Sequence, residues 1–177
     1  MAELRAHGLT VDPPAGWEGR IFRRPESGEL AATGAGEQVV GAPAPPGERS
    51  FPVVQVATIA LPLDIADYGS DVVEDLGPND ALVIFKEFDP ADVHQALFQR
   101  AGFPRVLSSG DFQASVLQRK LDGQGGYQVF FQDGGRAFCL YVVLGDFSRR
   151  ATVVPSVNRV LATFVIEPLE PLAPVVP

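Results

Sequence analysis

Residues Gly125–Gly145 read GGYQVFFQDGGRAFCLYVVLG. Gln128, Phe130 and Gln132 alternate with Val129 and Phe131, the period-two pattern of a strand. Asp133-Gly134-Gly135 then supplies residues that tolerate positive φ, as a short hairpin loop requires. The following run, Ala137 to Leu144, is apolar on both faces of a strand, so it predicts a strand covered on both sides. Two antiparallel strands at the centre of the fold follow from this stretch. No chemistry does.

Working outward, Ala81 to Phe88 (ALVIFKEF) predicts another buried strand. Phe51 to Leu61 predicts one more, with Pro52 at its entry or edge. Near the N-terminus, Leu9-Thr10-Val11 reads as a short strand and Asp12 to Gly16 as a turn that delivers Trp17. Glu18 to Arg24 reads as the next strand. Pro25 to Ser50 is rich in Pro and Gly and reads as a long surface loop, with room for a brief strand at Glu37 to Val40. Asp89-Pro90 opens a predicted helix, Asp89 as cap and Pro90 in its first turn, with Val93, Leu97 and Phe98 as the apolar stripe. Gly102 and Pro104 end it. Asp111 to Arg119 fits a short helix or an extended segment equally well. Ser148 to Val165 carries Val153, Val157, Val160, Leu161 and Phe164 at helical spacing, with Pro155 placed near the first turn. Residues 168–177 have proline at every third position, which favours an extended polyproline II tail. The expected architecture is one α+β domain over residues 1–167, an antiparallel β-sheet packed by helices.

With 177 residues, the chain is long enough to bury a core without disulfides or metal. Its single cysteine, Cys139, lies in the most apolar strand and reads as a small buried hydrophobe. The N-terminal stretch lacks the basic start and apolar run of a secretory signal, and no run approaches a membrane span, so the expected compartment is the cytoplasm. Net charge is −8, which disfavours nucleic acid. From Asp64 to Asp92 nine acids face the single Lys86, a local charge of −8 that equals that of the whole chain. This stretch reads as a solvated acidic edge or as a docking face for a basic protein partner, with Asp71, Glu74 and Asp75 at its centre. Trp17, the one tryptophan, reads as a core plug or as a binding anchor.

Chemical constellations are sparse. His7 and His94 are the only histidines, and no Gly-x-Ser-x-Gly elbow accompanies them. One Cys and two distant His do not make a zinc set. Asp71, Glu74, Asp75 and Asp80 lack the spacing of a calcium loop. Gly123 to Gly126 precedes a strand rather than a helix, so it lacks the helix N-terminus that holds phosphate. The sequence therefore points to no catalytic, metal or cofactor residue.

The opening Leu9 to Trp17, a strand followed by a Pro-x-Gly-Trp type turn, resembles the start of the PsbP-like families. Bacterial DcrB-type proteins and small actinobacterial lipoproteins share that layout. The resemblance covers element order and a few residues around Trp17. It implies an α/β/α sandwich acting as a binding, adaptor or chaperone module, and it transfers no site residue. The chain departs from it in lacking a lipobox and in the length of its 25–50 segment. The expected function is a noncatalytic protein-binding or assembly module, with homo-oligomerisation left open. The alternative is a small-molecule or enzymatic domain whose pocket between sheet and helix would be lined by Trp17, Phe130, Tyr141 and Phe164.

Overall fold

The structure, a computed structural model, describes residues 3–24, 49–62, 67–69 and 72–169. Most of the 25–50 segment, including the brief strand expected at 37–40, lies outside them, as do Asp71 and the tail beyond residue 169. The described chain is mixed α/β, with two antiparallel sheets and one α-helix. The order is β1 (Leu4–Ala6), β2 (Leu9–Val11), β3 (Glu18–Phe22), β4 (Val53–Ala57), β5 (Ala81–Glu87), β6 (Gly125–Asp133), β7 (Arg136–Leu144), α1 (Arg150–Leu161) and β8 (Val165–Ile166). The larger sheet runs β3-β4-β5-β7-β6 and the smaller β1-β2-β8. The quoted hairpin pairs Gly125 with Leu144 through to Asp133 with Arg136. Gly134 and Gly135 turn it at φ 57° and 76°, two consecutive positive values of the kind a two-residue hairpin turn needs.

Strand alternation gives the larger sheet two faces. Val54, Val56, Val83, Phe85, Phe131, Phe138, Leu140 and Val142 point to one, and they share a buried cluster with Val153, Val154, Val157, Val160 and Leu161 of α1 and with Leu9 and Val11 of β2. Helix and small sheet thus cover the same face. The opposite face, with Val53, Leu82, Ile84, Cys139, Tyr141 and Val143, is covered by loop residues such as Leu61, Val72, Val73, Leu76 and Leu117. Strand β7 is buried along its whole length, as its two-sided apolar run requires.

Four expectations need correction. First, β1 precedes the first expected strand, joined to β2 through a turn with His7 at φ 54° and Gly8 at φ 70°. Second, the helix expected from Asp89 is two 3-10 turns, Pro90–His94 and Ala96–Phe98, broken by extended backbone at Gln95. Asp89 does cap the first turn, accepting from Ala91 N at 2.9 Å. A continuous helix would place Val93 and Phe98, five residues apart, about 140° apart around its axis. With the break at Gln95 both side chains are buried in one cluster with Ala137, and Leu97 is left 53% exposed. Third, the described residues hold one α-helix where two were expected, and Pro155 lies inside it rather than in its first turn. Fourth, that helix ends at Leu161, and Val165–Ile166 instead forms β8, paired with Leu9 and Thr10. Residues 111–119 begin as a 3-10 turn, Ser109–Asp111, and continue irregularly.

Candidate functional site

The outer edge of β6 is the most distinctive surface of the sheet. Strand β6 pairs with β7 on one side only. On its other side, Gly126 exchanges two backbone hydrogen bonds with Gln113, at 2.8 and 2.9 Å. At the far end, Gln132 N donates to Arg100 O, and Gln132 O accepts from Gly102 N, both at 2.8 Å. Residues 126, 128, 130 and 132 therefore turn their backbone groups outward, because direction alternates along a strand. Gly126 and Gln132 are occupied. The N–H and C=O groups of Gln128 and Phe130 meet no partner among the described residues.

The two arms that close the ends are firmly held. Asn158 of α1 accepts from Leu107 N and donates to Leu107 O, both at 2.9 Å. Arg105 Nη1 donates to Phe164 O at 2.9 Å. Ser108 and Asp111 form a reciprocal capping box on the 3-10 turn that leads to Gln113. Phe103 and Phe112 pass to the helix side and pack on Phe131 and Tyr127. Gly126 fits because a Cβ there would lie 2.7 Å from Leu117 Cδ2 and 3.2 Å from Val142 O. Among the described residues the result is a gap in the pairing of the edge at Gln128 and Phe130, bounded on both sides.

Its side chains are half-buried. On one face Phe130 packs against Phe88 and Phe98, and Gln128 Nε2 lies 3.7 Å from Cys139 Sγ. On the other, the Tyr127 hydroxyl is met by the Arg100 side chain. Burial raises the Tyr127 pKa, opposed by the Arg100 charge and hydrogen bond, so the phenol is neutral and able to donate.

The residues singled out from sequence lie elsewhere. Trp17 is 4% exposed and belongs to the core cluster. Glu74 and Asp75 are exposed on a turn, and Asp71 lies outside the described residues. Much of the acidic stretch is paired with cations remote in sequence. Glu74 meets Arg119. Asp67 lies 2.6 Å from Arg24 Nε and 2.7 Å from Lys86 Nζ. Asp89 meets Arg49 at 2.8 Å, and Glu87 is buried against Arg136. Asp80 accepts from Thr58 and Gly77 N. The four residues expected to line one pocket do not share a face. Trp17 and Phe164 belong to the helix-side cluster, whereas Tyr141 and Phe130 belong to the opposite one, because they alternate with Leu140 and Phe131.

Cys139 is fully buried, and burial pushes its thiol up to about 11, outweighing the hydrogen bond from Gln128 and the charge of Lys86. Among the described residues no three His, Cys, Asp or Glu side chains gather as a metal set. No described helix is long and apolar enough to cross a membrane. Sequence reasoning passed over Arg100 and Gln128 as a site and named Phe130 only as the lining of a different pocket. The alternation of Gln128, Phe130 and Gln132 marked a strand, but only the tertiary course of residues 100–113 makes it an edge with a gap. Comparison with protein-family models, curated proteins and solved structures found no match.

Proposed function

We propose that the chain is a noncatalytic binding module that accepts an extended segment of a partner protein as an added strand on the outer edge of β6. The observation that carries this reading is the pair of outward residues, Gln128 and Phe130, whose backbone groups have no partner among the described residues, between two occupied ones. An exposed sheet edge is a template for main-chain pairing, and added strands gain affinity from backbone bonds and specificity from alternate side chains. Four backbone groups at about 1 kcal/mol each give only weak affinity, so side-chain contacts must supply the rest.

The test is a displayed library of random pentapeptides selected against the purified chain. The selected peptides are then resynthesised with N-methyl groups on alternate residues. Strand addition predicts that methylating one alternate set weakens binding more than tenfold while the other set leaves it within about twofold. Peptides indifferent to both sets would overturn the reading.

A further inference from the structure

The larger sheet ends on its other side at β3, which pairs only with β4. We infer that β3 pairs with β3 of a second copy of the chain, antiparallel and centred on Gly19, to give a reversible homodimer with one continuous sheet of five strands from each copy. This goes beyond strand addition at β6 and does not depend on it.

The backbone sets the edge. Thr58 N donates to Ala81 O, and Glu87 N donates to Pro52 O. Direction alternates along a strand, so the even-numbered residues here turn to β5, and Val53, Gln55 and Ala57 turn to β3. Their partners Phe22, Arg20 and Glu18 face back toward β4. Gly19 and Ile21 are left pointing outward. Their N–H and C=O groups meet no partner among the described residues. Both are half-buried rather than covered. Trp17 also points outward, with its N–H taken by Pro14 O at 3.0 Å. Pro13 and Leu4 pack on the face to which a Gly19 Cβ would point, 2.8 and 3.0 Å from that position.

The charges set the occupant and its register. Glu18 is exposed, and neither it nor Arg20 forms an ion pair among the described residues. The Arg20 guanidinium donates to the carbonyls of Leu61 and Pro62, which holds it beside the strand. Two residues apart, Glu18 and Arg20 share the loop-side face and straddle Gly19. Pairing centred on Gly19 therefore sets Glu18 of each chain opposite the partner's Arg20. These are two opposite-charge pairs at the closer, non-hydrogen-bonded positions. The two Gly19 residues exchange two backbone bonds, and each Ile21 N–H meets the partner's Trp17 C=O. Other registers fit worse. A slip by one residue sets an outward residue against an inward one. Centring on Arg20 brings two guanidinium groups face to face. Centring on Ile21 offers Glu18 only the partner's Arg24, which Asp67 already holds at 2.6 Å. The order Glu-Gly-Arg is its own antiparallel complement. The β6 edges would then stand at opposite ends of the joint sheet, nine strand spacings or about 43 Å apart at ~4.8 Å each.

Each copy carries −8, so the test is made at ~0.15 M salt, where the Debye length of about 8 Å still exceeds the ~5 Å between cross-strand neighbours. Sedimentation equilibrium of the full chain from about 10 µM to about 1 mM should show a rise from monomer to dimer mass, since so few bonds support only a weak association. Over the same range, hydrogen exchange at Gly19 and Ile21 should slow while that at Gln128 and Phe130 does not. Glu18→Arg and Arg20→Glu each oppose like charges twice and should weaken the dimer by roughly tenfold or more. Mixed together, the two variants should form a heterodimer, because every facing pair is then of opposite sign. Should Arg20→Glu not fold, Glu18→Arg and the exchange measurement on the unaltered chain decide alone. A chain that stays monomeric at millimolar concentration would overturn the inference. So would a dimer that leaves Gly19 and Ile21 unprotected, or one that Glu18→Arg does not weaken, since another surface or register would then hold it.

Discussion

Arg136 joins three parts of the chain that are distant in sequence. Its Nε and Nη2 reach the two Glu87 carboxylate oxygens at 2.8 and 2.6 Å, with both side chains no more than 6% exposed. The remaining donors satisfy the carbonyls of His7, Gly8 and Glu167. All five guanidinium protons and both Glu87 oxygens thus have a partner, the condition under which a buried ion pair is tolerated. Arg136→Met should cost about 3–5 kcal/mol in urea unfolding, because Glu87 is left charged and unpaired. Adding Glu87→Met should recover a large part of that loss, and an absence of recovery would assign the cost to the three carbonyls instead. A second residue-scale outcome concerns alkaline pH. The Cys139 thiol is raised from 9.0 to about 11, and burial raises Tyr68 from 10.0 to about 12, with the charges of Cys139 and Asp67 adding to it. Below pH 9 the thiol is protonated in folded and unfolded chain alike, so its full contribution is present. Above that, the unfolded chain sheds the proton while the fold retains it, and stability falls up to about pH 11. Cys139→Ala should flatten that decline by about 2–3 kcal/mol, read as urea midpoints at pH 8 and 11. Burial of Cys139 was legible from its apolar neighbours. The Arg136–Glu87 pair was not, since nothing local in RAF or KEF announces a partner 49 residues away.

At the scale of elements, periodicity served strands better than helices. The β6–β7 hairpin could be read in full because alternation, turn residues and length agreed. The segment from Asp89 had a good cap and Pro in place, yet Val93 and Phe98 are both buried in one cluster with Ala137, a placement a continuous helix would not give them, so tertiary packing outweighs local propensity. The final helix was legible as a helix, but its end was not, because Phe164 serves the core from beyond Leu161 without being helical. Pro155 is exposed and sits in the second turn of α1, where it forgoes a backbone bond and crowds the carbonyl four residues earlier. Pro155→Ala should therefore stabilise the fold, by about 1–3 kcal/mol in thermal or urea unfolding. Asn158, on the same helix, holds the Leu107 backbone with both its amide atoms. Asn158→Ala should cost about 1–3 kcal/mol. It should also raise hydrogen exchange at Leu107 and Gln113 while leaving β5 and β7 protected, and loss of protection in those central strands would show that the arms are not separately held.

For the whole molecule, the distribution of charge changes meaning once folded. In sequence the acidic stretch has one counter-charge. In space it draws on Arg24, Arg49, Arg119 and Arg136 as well as Lys86. Counting along the chain could not reveal this, because each of those arginines lies outside the counted window. The closing of the two ends was equally hidden. Strand β8 pairs with β2, Glu167 N donates to Gly8 O, and Leu169 N donates to Gly134 O at the hairpin turn, all at 2.9 Å for the last two. Pairings across such separations are formed late and slowly, since the intervening loop must close first. Folding in the range of milliseconds to seconds is expected, with β2 and β8 gaining exchange protection after the β6–β7 hairpin. Simultaneous protection would place the terminal pairing in the folding nucleus.

The two-faced packing of the larger sheet also equips the chain for spectroscopy. It has one tryptophan and one cysteine. Trp17 is buried on the helix side and Cys139 on the loop side. Indole fluorescence thus reports on one layer and pulsed thiol labelling on the other, with no engineered probe. Coincident unfolding curves from the two would mean that the layers melt as one cooperative unit. A labelling transition that precedes the fluorescence change would mean that the loop-built cover lifts while the helix side stays closed.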